Sequence, residues 1–147
     1  MGSASVLVID DEAPIRLLCR VNLEAEGLTV LEAGDGATGL TLARAEAPSA
    51  ILLDVTMPGL TGWQVAEALL DDDRTCAIPI VFLTARAELR DRARGLGAGG
   101  IDYVKKPFDP IELALHMREL VERVGRGEAD ELRREKLSEL RQALERS

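Results

Sequence analysis

Polar residues follow four separate apolar runs of this sequence, and their side-chain types suit a metal ion and a phosphate group. Asp10 and Asp11 follow VLVI, Asp54 follows AILL, Thr84 ends the run after IVFL, and Lys106 follows DYVK. Carboxylates in one crevice repel each other, and at an effective dielectric constant near 20 a pair about 4 Å apart costs on the order of 4 kcal/mol. Mg²⁺ relieves such repulsion and binds carboxylate, water and phosphate oxygens. The sequence therefore predicts a magnesium site with a lysine beside it.

These residues meet only if the apolar runs end at one edge of a sheet. Short runs rich in Val, Ile and Leu are typical of strands covered on both faces, and they occupy residues 5–10, 28–33, 50–54, 79–84 and 101–104. Helical patterns alternate with them over residues 13–26, 36–46, 63–71, 87–97 and from Asp109 onward. Five βα units predict a doubly wound α/β fold, (βα)5, with a parallel sheet and right-handed crossovers. In such a sheet, strand-terminal polar residues converge.

Composition narrows the classes of function. The chain has 147 residues, of which 46% are hydrophobic, enough for one domain with a real core. Its net charge of −8 opposes direct binding to nucleic acid. No stretch resembles a signal peptide or a membrane span. Cys19 and Cys76 lack the spacing of metal ligands, which predicts reduced thiols in a cytoplasmic protein.

The end of the chain extends beyond the βα pattern. Gly125 and Gly127 mark a break, and residues 126–147 contain six basic and six acidic side chains among strong helix formers. Its leucines, at positions 132, 137, 140 and 144, form a narrow stripe without a sustained heptad. We therefore predict a domain over residues 1–125 and an added C-terminal helix over 126–147 that serves as a pairing helix or a linker.

Four motifs occur in order within residues 5–124: VLVIDDE, LLDVTMPGLTGW around Asp54, FLTA at Thr84 and DYVKKPFD at Lys106. Thr84, Tyr103 and Lys106 follow Asp54 by 30, 49 and 52 residues. In motifs and spacing the chain resembles the receiver domains of bacterial two-component response regulators. The resemblance implies a chemotaxis-type, flavodoxin-like fold. It also implies a signalling switch, rather than an enzyme, that accepts a phosphoryl group from a sensor histidine kinase or a phosphotransfer protein.

The resemblance further implies a role for each acidic residue. Asp54 would attack the phosphohistidine of the partner and become an acyl phosphate. Asp11 and Asp54 would bind Mg²⁺ through their side chains, Asp10 would act mainly through water and orientation, and Thr56 would lend its backbone carbonyl. Phosphoryl transfer depends on in-line positioning and on neutralised oxygens, which this set would supply.

The resemblance assigns the response of the switch to residues on the other strands. Lys106 and the Thr84 hydroxyl would contact the phosphoryl oxygens, and a cis Pro107 would point the lysine inward. Tyr103 would swing inward as Thr84 moves. The surface of the fourth helix, the fifth strand and the last core helix would then bind a partner or a second copy of the chain.

Alternatives stay open at this point. An aspartyl nucleophile with Mg²⁺ is also similar to haloacid-dehalogenase-type phosphatases, but those enzymes carry a second aspartate where Thr56 stands. A silent interaction module is disfavoured because every residue expected for phosphorylation is present. Asp10 and Asp11 could cap a helix, Tyr103 could be an ordinary half-buried aromatic residue, and His116 reads as a surface or satisfied helix residue.

Two positions depart from the commonest family pattern. Thr56 and Arg86 stand where family members often carry an amide or acidic group, and both would flank the path of the hydrolytic water. The resemblance therefore specifies the chemistry better than the lifetime of the phosphorylated state. Arg86, Arg90 and Arg94 are spaced by four and predict a basic stripe on the fourth helix.

Overall fold

Five parallel strands form the single sheet of the structure, a computed structural model that describes residues 4–85, 93–94, 97 and 99–146. The strands are β1 (Ser5–Ile9), β2 (Thr29–Ala33), β3 (Ala50–Asp54), β4 (Ile80–Thr84) and β5 (Gly100–Lys105). Their order is β2-β1-β3-β4-β5, and every neighbouring pair is parallel. The order reverses between β1 and β3, which opens a crevice at the carboxyl ends of these two strands.

Helices connect and cover the strands. The described helices are α1 (Ala13–Ala25), α2 (Gly36–Glu46), α3 (Gly62–Leu70), α4 (Pro110–Gly125) and α5 (Ala129–Arg146). The structure confirms the predicted doubly wound α/β class. The helix predicted over 87–97 falls mostly outside the described residues. No helix in the described part of the chain combines the length and the apolar character that a membrane span requires.

The sheet has an apolar core on each face. One cluster packs α1, α4 and the start of α5 against the sheet, and the other packs α2 and α3 against the opposite face. Every residue of β3 and β4 is buried, as expected for the central strands of a covered parallel sheet. The crevice between β1 and β3 is therefore built on buried strands at the centre of the sheet.

Local signals start two helices next to this crevice. Thr61 accepts a hydrogen bond from the Gln64 N–H, and the Gln64 side chain accepts one from the Thr61 N–H, which is a capping box for α3. Asp109 caps α4 by accepting hydrogen bonds from two backbone N–H groups, and Pro110 takes the first helical position. These caps fix where the loops after β3 and β5 end.

Gly62 lets α3 start directly against β3. A Cβ atom on Gly62 would lie 2.4 Å from the backbone oxygen of Asp54 and 2.7 Å from the Cα of Val55. The Gly62 N–H also donates to the Val55 carbonyl at 2.9 Å. Only glycine permits this approach, so the loop after Asp54 stays tight.

Candidate functional site

Three carboxylates lie together at the carboxyl end of the sheet. Asp54 is the last residue of β3, and Asp10 and Asp11 follow β1 directly. One oxygen from each carboxylate lies within 4.8 Å of the other two. Asp10 is fully buried and Asp54 is only 4% exposed, whereas Asp11 is exposed. The cluster therefore combines two buried acids with one that faces solvent.

Backbone groups orient the two buried carboxylates. The N–H of Glu12 donates to Oδ1 of Asp10 at 2.9 Å, and the N–H of Thr56 donates to Oδ1 of Asp54 at 3.2 Å. Nη1 of Arg16 also donates to the backbone carbonyl of Asp10 at 2.7 Å. These contacts leave Oδ2 of each aspartate for other partners.

Lys106 reaches this cluster from the far side of the sheet. Its Nζ lies 2.8 Å from Oδ2 of Asp10, 3.5 Å from Oδ1 of Asp54 and 3.6 Å from a carboxylate oxygen of Glu12. The Lys106 N–H donates to the Thr84 carbonyl at 2.8 Å, and the peptide bond to the following proline is cis. The strand ends thus bring the predicted lysine and the predicted acids into one site.

The site holds more negatively charged groups than positively charged ones. Burial raises the pKa of Asp54 to about 6, and the negative charge of Asp10 adds to this effect, whereas Lys106 and the Thr56 N–H oppose it. Burial lowers the pKa of Lys106, but the hydrogen bond and charge of Asp10, with the other acids, raise it further than burial lowers it. The lysine is therefore held charged, and a second cation would still be favourable.

We expect Asp54→Asn to stabilise the fold in the absence of divalent cations, increasingly so as the pH rises. The folded pKa of about 6 lies above the ordinary value of 3.8, so ionising Asp54 costs stability that is absent at pH 3.5 and complete above pH 7. A shift of this size corresponds to about 1–3 kcal/mol at neutral pH. Urea unfolding in EDTA at pH 4, 6 and 8 measures the difference between variant and wild type.

Asp35→Asn provides the matched control, because this exposed aspartate has the opposite shift. Hydrogen bonds from the Thr38 N–H and hydroxyl lower the pKa of Asp35. Its carboxylate therefore contributes stability that is present above about pH 4 and is lost on further acidification, so the difference between the asparagine variant and wild type should stay nearly constant from pH 4 to pH 8. A difference between Asp54→Asn and wild type that stays constant from pH 4 to pH 8 would contradict the account.

Two adjoining cavities lie at this end of the sheet, and the first of them opens on the carboxylates. The first has a volume of about 320 Å³ and is lined by Asp11, Glu12, Asp54, Thr56, Ala85 and Lys106. The second has a volume of about 460 Å³, shares Thr56 and Ala85 with the first, and adds Thr84, Trp63 and Arg94. The crevice therefore has room for a phosphoryl group beside Asp54, with Thr84 at its border.

The two residues predicted to switch lie on neighbouring strands. Thr84 ends β4 and is 6% exposed, and it pairs in register with Lys105 of β5. Tyr103 lies in the middle of β5, which is an edge strand, and is half-buried. Thr84 borders the second cavity, whereas Tyr103 lines a separate surface pocket with Lys105 and Pro107, and the coupled movement of Thr84 and Tyr103 stays a prediction.

The basic stripe predicted from three arginines is only partly described. Arg86 and Arg90 lie outside the described residues. The guanidinium of Arg94 lies 4.8 Å from the centre of the Trp63 ring, in cation–π geometry. Arg94 thus borders the larger cavity, which the sequence reasoning did not predict.

Asp102 is the charged group that the sequence reasoning missed. It lies inside β5, is 6% exposed, and contacts His116 of α4 and Lys136 of α5. His116 is therefore a helix residue whose ring nitrogen has a hydrogen-bond partner. An aspartate inside the apolar segment GIDYVK was the available signal, because a buried carboxylate needs partners.

Comparison with known proteins identifies the family of this chain. A family model described as the response regulator receiver domain matches residues 6–118. The chain is 38% identical over 130 residues to the phosphate regulon transcriptional regulatory protein PhoB of Pseudomonas aeruginosa, which covers 88% of this chain and 57% of PhoB. It is 39% identical over 121 residues to the DNA-binding dual master transcriptional regulator RpaA of Synechocystis, covering 82% of this chain and 50% of RpaA. The chain thus spans about half the length of these relatives.

Solved structures agree with this match. The chemotaxis response regulator CheY4 of Vibrio cholerae superimposes with a TM-score of 0.76 at 30% identity, over 82% of this chain and 99% of CheY4. The receiver domain of the Francisella response regulator 1452 gives a TM-score of 0.77 at 29% identity, over 83% of this chain and 99% of that domain. Fold, family model and relatives together show that the chain belongs to the response regulator receiver domain family.

Proposed function

We propose that this chain is a phosphorylation-dependent switch of a two-component system and that Asp54 is the phosphoacceptor. One observation carries the assignment: the carboxylate of Asp54 lies beside Lys106 and two further carboxylates at the border of an open cavity. Burial, together with the negative charge of Asp10, raises the pKa of Asp54. Among the described acids, Asp54 alone belongs to the carboxylate cluster, contacts Lys106 and also borders the open cavity.

We propose Mg²⁺ as the resident metal ion, since receiver domains generally use it at an acidic pocket. The donor set fits, because carboxylate oxygens of Asp10, Asp11 and Asp54 lie within 4.8 Å of one another and Mg²⁺ prefers oxygen ligands. Asp11 and Asp54 would bind through their side chains, Asp10 mainly through water, and Thr56 through its carbonyl. The ion would supply positive charge for the oxygens of the transferred phosphoryl group.

Side chains of this protein would then carry out the phosphoryl transfer. An oxygen of Asp54 attacks phosphorus, the P–N bond of the phosphohistidine breaks, and the imidazole of the donor takes up a proton. The Thr56 N–H orients the Asp54 carboxylate from behind at 3.2 Å. Lys106, held charged by its neighbours, would shift from Asp10 toward the new phosphoryl oxygens, and the Thr84 hydroxyl would meet another of them. Such positioning and charge stabilisation account for most of the catalysis of phosphoryl transfer.

The phosphoryl group bound to Asp54 would change a binding surface of the domain. Thr84 and Tyr103 would move inward and change the surface of β5, α4 and the segment 87–97, which would bind a partner or a second copy. A bound group shifts such an equilibrium only by its different affinity for the two states.

The proposed partners are a sensor histidine kinase or a phosphotransfer protein and a second copy of the chain in a homodimer. The proposed location is the cytoplasm. PhoB and RpaA are described as transcriptional regulators, but this chain matches only about half of each. Because the chain has a net charge of −8, we propose that this domain does not bind nucleic acid directly. Its only chemistry would be its own phosphorylation and dephosphorylation. A Mg²⁺-dependent phosphatase is disfavoured because Thr56 stands where a second aspartate would act.

Intact mass spectrometry tests this function. Wild type incubated with Mg²⁺ and phosphoramidate should gain one phosphoryl group, and omission of Mg²⁺ or the substitution Asp54→Asn should abolish the gain. The exposed control Asp35→Asn should behave as wild type. Release of phosphate from a phosphomonoester over many turnovers would instead indicate a phosphatase, and no phosphoryl gain under any condition would indicate a silent module.

A further inference from the structure

A buried charge cluster joins the C-terminal helix α5 to the sheet. Oδ2 of Asp102, in β5, lies 2.5 Å from Nε2 of His116 in α4 and 3.4 Å from Nζ of Lys136 in α5. Oδ1 of the same carboxylate accepts the N–H of Tyr103 at 2.8 Å. The Asp102 side chain is 7% exposed and that of Lys136 is 20% exposed. We refer to Asp102, His116 and Lys136 as the Asp102 cluster.

Lys136 is a necessary partner in this cluster. Burial raises the pKa of Asp102, but the His116 hydrogen bond and the positive charge of Lys136 lower it further than burial raises it. A buried carboxylate that loses one of its charge partners is destabilised. The single cation supplied by α5 therefore favours the docked position of this helix.

A second contact lies about two turns further along α4. Arg123 of α4 donates to Glu128 at 2.9 Å and to both carboxylate oxygens of Glu135, at 2.9 and 3.1 Å. Leu132 lies between the two charged contacts and is 6% exposed, within the core cluster on this face of the sheet. The first two turns of α5 thus dock on β5 and α4 through one leucine and two groups of ion pairs.

The rest of this interface is loosely packed. Leu132 is the only buried residue of α5, and Leu137 is 49% exposed. A cavity of about 130 Å³ remains between α5 and the sheet, bordered by Asp102, Arg123 and Glu135. Protein cores contain few voids larger than a water molecule, and a largely polar contact surface is typical of contacts that form and break. The docked helix is therefore suited to dissociate while the domain stays folded.

The docked helix also contacts β5, the strand that contains the predicted switch residue Tyr103. Asp102 precedes Tyr103 and holds its N–H, and the same strand leads to Lys106. Contacts that favour one arrangement of β5 change the affinity of the site if the two arrangements bind its ligand differently, and that coupling is then reciprocal. Because α5 lies across β5 and α4, a partner for this surface has to displace it.

We propose that α5 is a reversible intramolecular cover of the β5–α4 surface, held by the Asp102 cluster and released when Asp54 carries a phosphoryl group. The occupant of this surface in the unphosphorylated protein is the chain's own segment 129–140. The release step rests on the proposed function, whereas the docking itself does not. The cover would keep the unphosphorylated protein from engaging the partner of that surface.

Hydrogen exchange of the full chain tests the docking without any phosphodonor. Lys136→Met retains the apolar stem of the side chain and removes its charge, and it should speed exchange within 129–140 about 10-fold and also within β5. Arg141→Met, an exposed position on the same helix, is the control and should leave exchange near wild type. Equal exchange in the two variants would overturn the proposal. Protection that rises with protein concentration would show docking between two chains and would also overturn it.

The release step is tested with Mg²⁺ and beryllium fluoride, a phosphoryl analogue, by following the fluorescence of Trp63. By reciprocity, Lys136→Met should bind the analogue about 5-fold more tightly than wild type or Arg141→Met. In wild type the analogue should speed exchange in 129–140. Binding without either effect would overturn the release step, whereas absence of any binding would overturn the proposed function and the release that depends on it, leaving the docking result intact.

Discussion

Replacing Asp11 by asparagine should slow Mg²⁺-dependent phosphorylation of the chain by about 100-fold or more, since loss of one preorganised electrostatic contact commonly costs this much. Asp11 is the exposed member of the carboxylate cluster, and it contributes charge without supporting the core. The variant should therefore fold as wild type. Rates are measured by intact mass with phosphoramidate, and Mg²⁺ affinity by the fluorescence of Trp63, which borders the adjoining cavity.

Glu12→Gln is the matched control for this substitution. Glu12 follows Asp11 directly, lines the same cavity and lies 3.6 Å from Lys106, but its side chain is 60% exposed and lies outside the carboxylate cluster. It should change the rate less than about 5-fold, as expected for an exposed charge screened by solvent. Equal losses in Asp11→Asn and Glu12→Gln would show that only the general negative potential of the crevice matters.

Replacing Lys106 by methionine should have a large effect on stability as well as on chemistry. The substitution leaves the fully buried Asp10 and the nearly buried Asp54 without their shared cation. In EDTA we expect a loss of about 2–3 kcal/mol in the free energy of unfolding, less than for a fully enclosed pair because the crevice is open to water. Urea denaturation measures this loss.

Mg²⁺ should restore much of the stability of Lys106→Met, because an ion that binds only the folded state stabilises it by mass action. The gain from Mg²⁺ should be larger for this variant than for wild type, yet phosphorylation should remain slow because the lysine is absent. Lys105→Met, at the exposed neighbouring position, should match wild type in both measurements. A gain from Mg²⁺ that is no larger in Lys106→Met than in wild type would contradict a shared charge site.

The fold was predictable because its signals are local. The runs that become β3 and β4 are apolar on both faces, so their strands could be recognised without tertiary information. Asp109 and Pro110 marked the start of α4 correctly. The ends of the strands differ from the prediction by at most one residue, where fraying and short turns decide the boundary.

The Asp102 cluster was not predictable because its members lie on three elements. Asp102, His116 and Lys136 are separated by 14 and 20 residues, and no periodic pattern relates them. The sequence also suggested that the leucine stripe of the C-terminal helix pairs with a second chain or that the helix leads into a further domain. In the structure Leu132 is buried within its own domain, because the turn at Gly127 brings the start of α5 back onto β5 and α4. The role of the remaining leucines as a pairing surface stays a prediction.

The identity of the phosphorylated residue tests the central claim most directly. After reaction with phosphoramidate and Mg²⁺, borohydride converts an acyl phosphate of aspartate into homoserine, and peptide mass spectrometry locates that residue. We predict homoserine at position 54 alone, with a phosphoryl group that survives acid and is lost in base. Homoserine at Asp10 or Asp11, or a stable phosphoryl group on a hydroxyl or on His116, would contradict the assignment of Asp54.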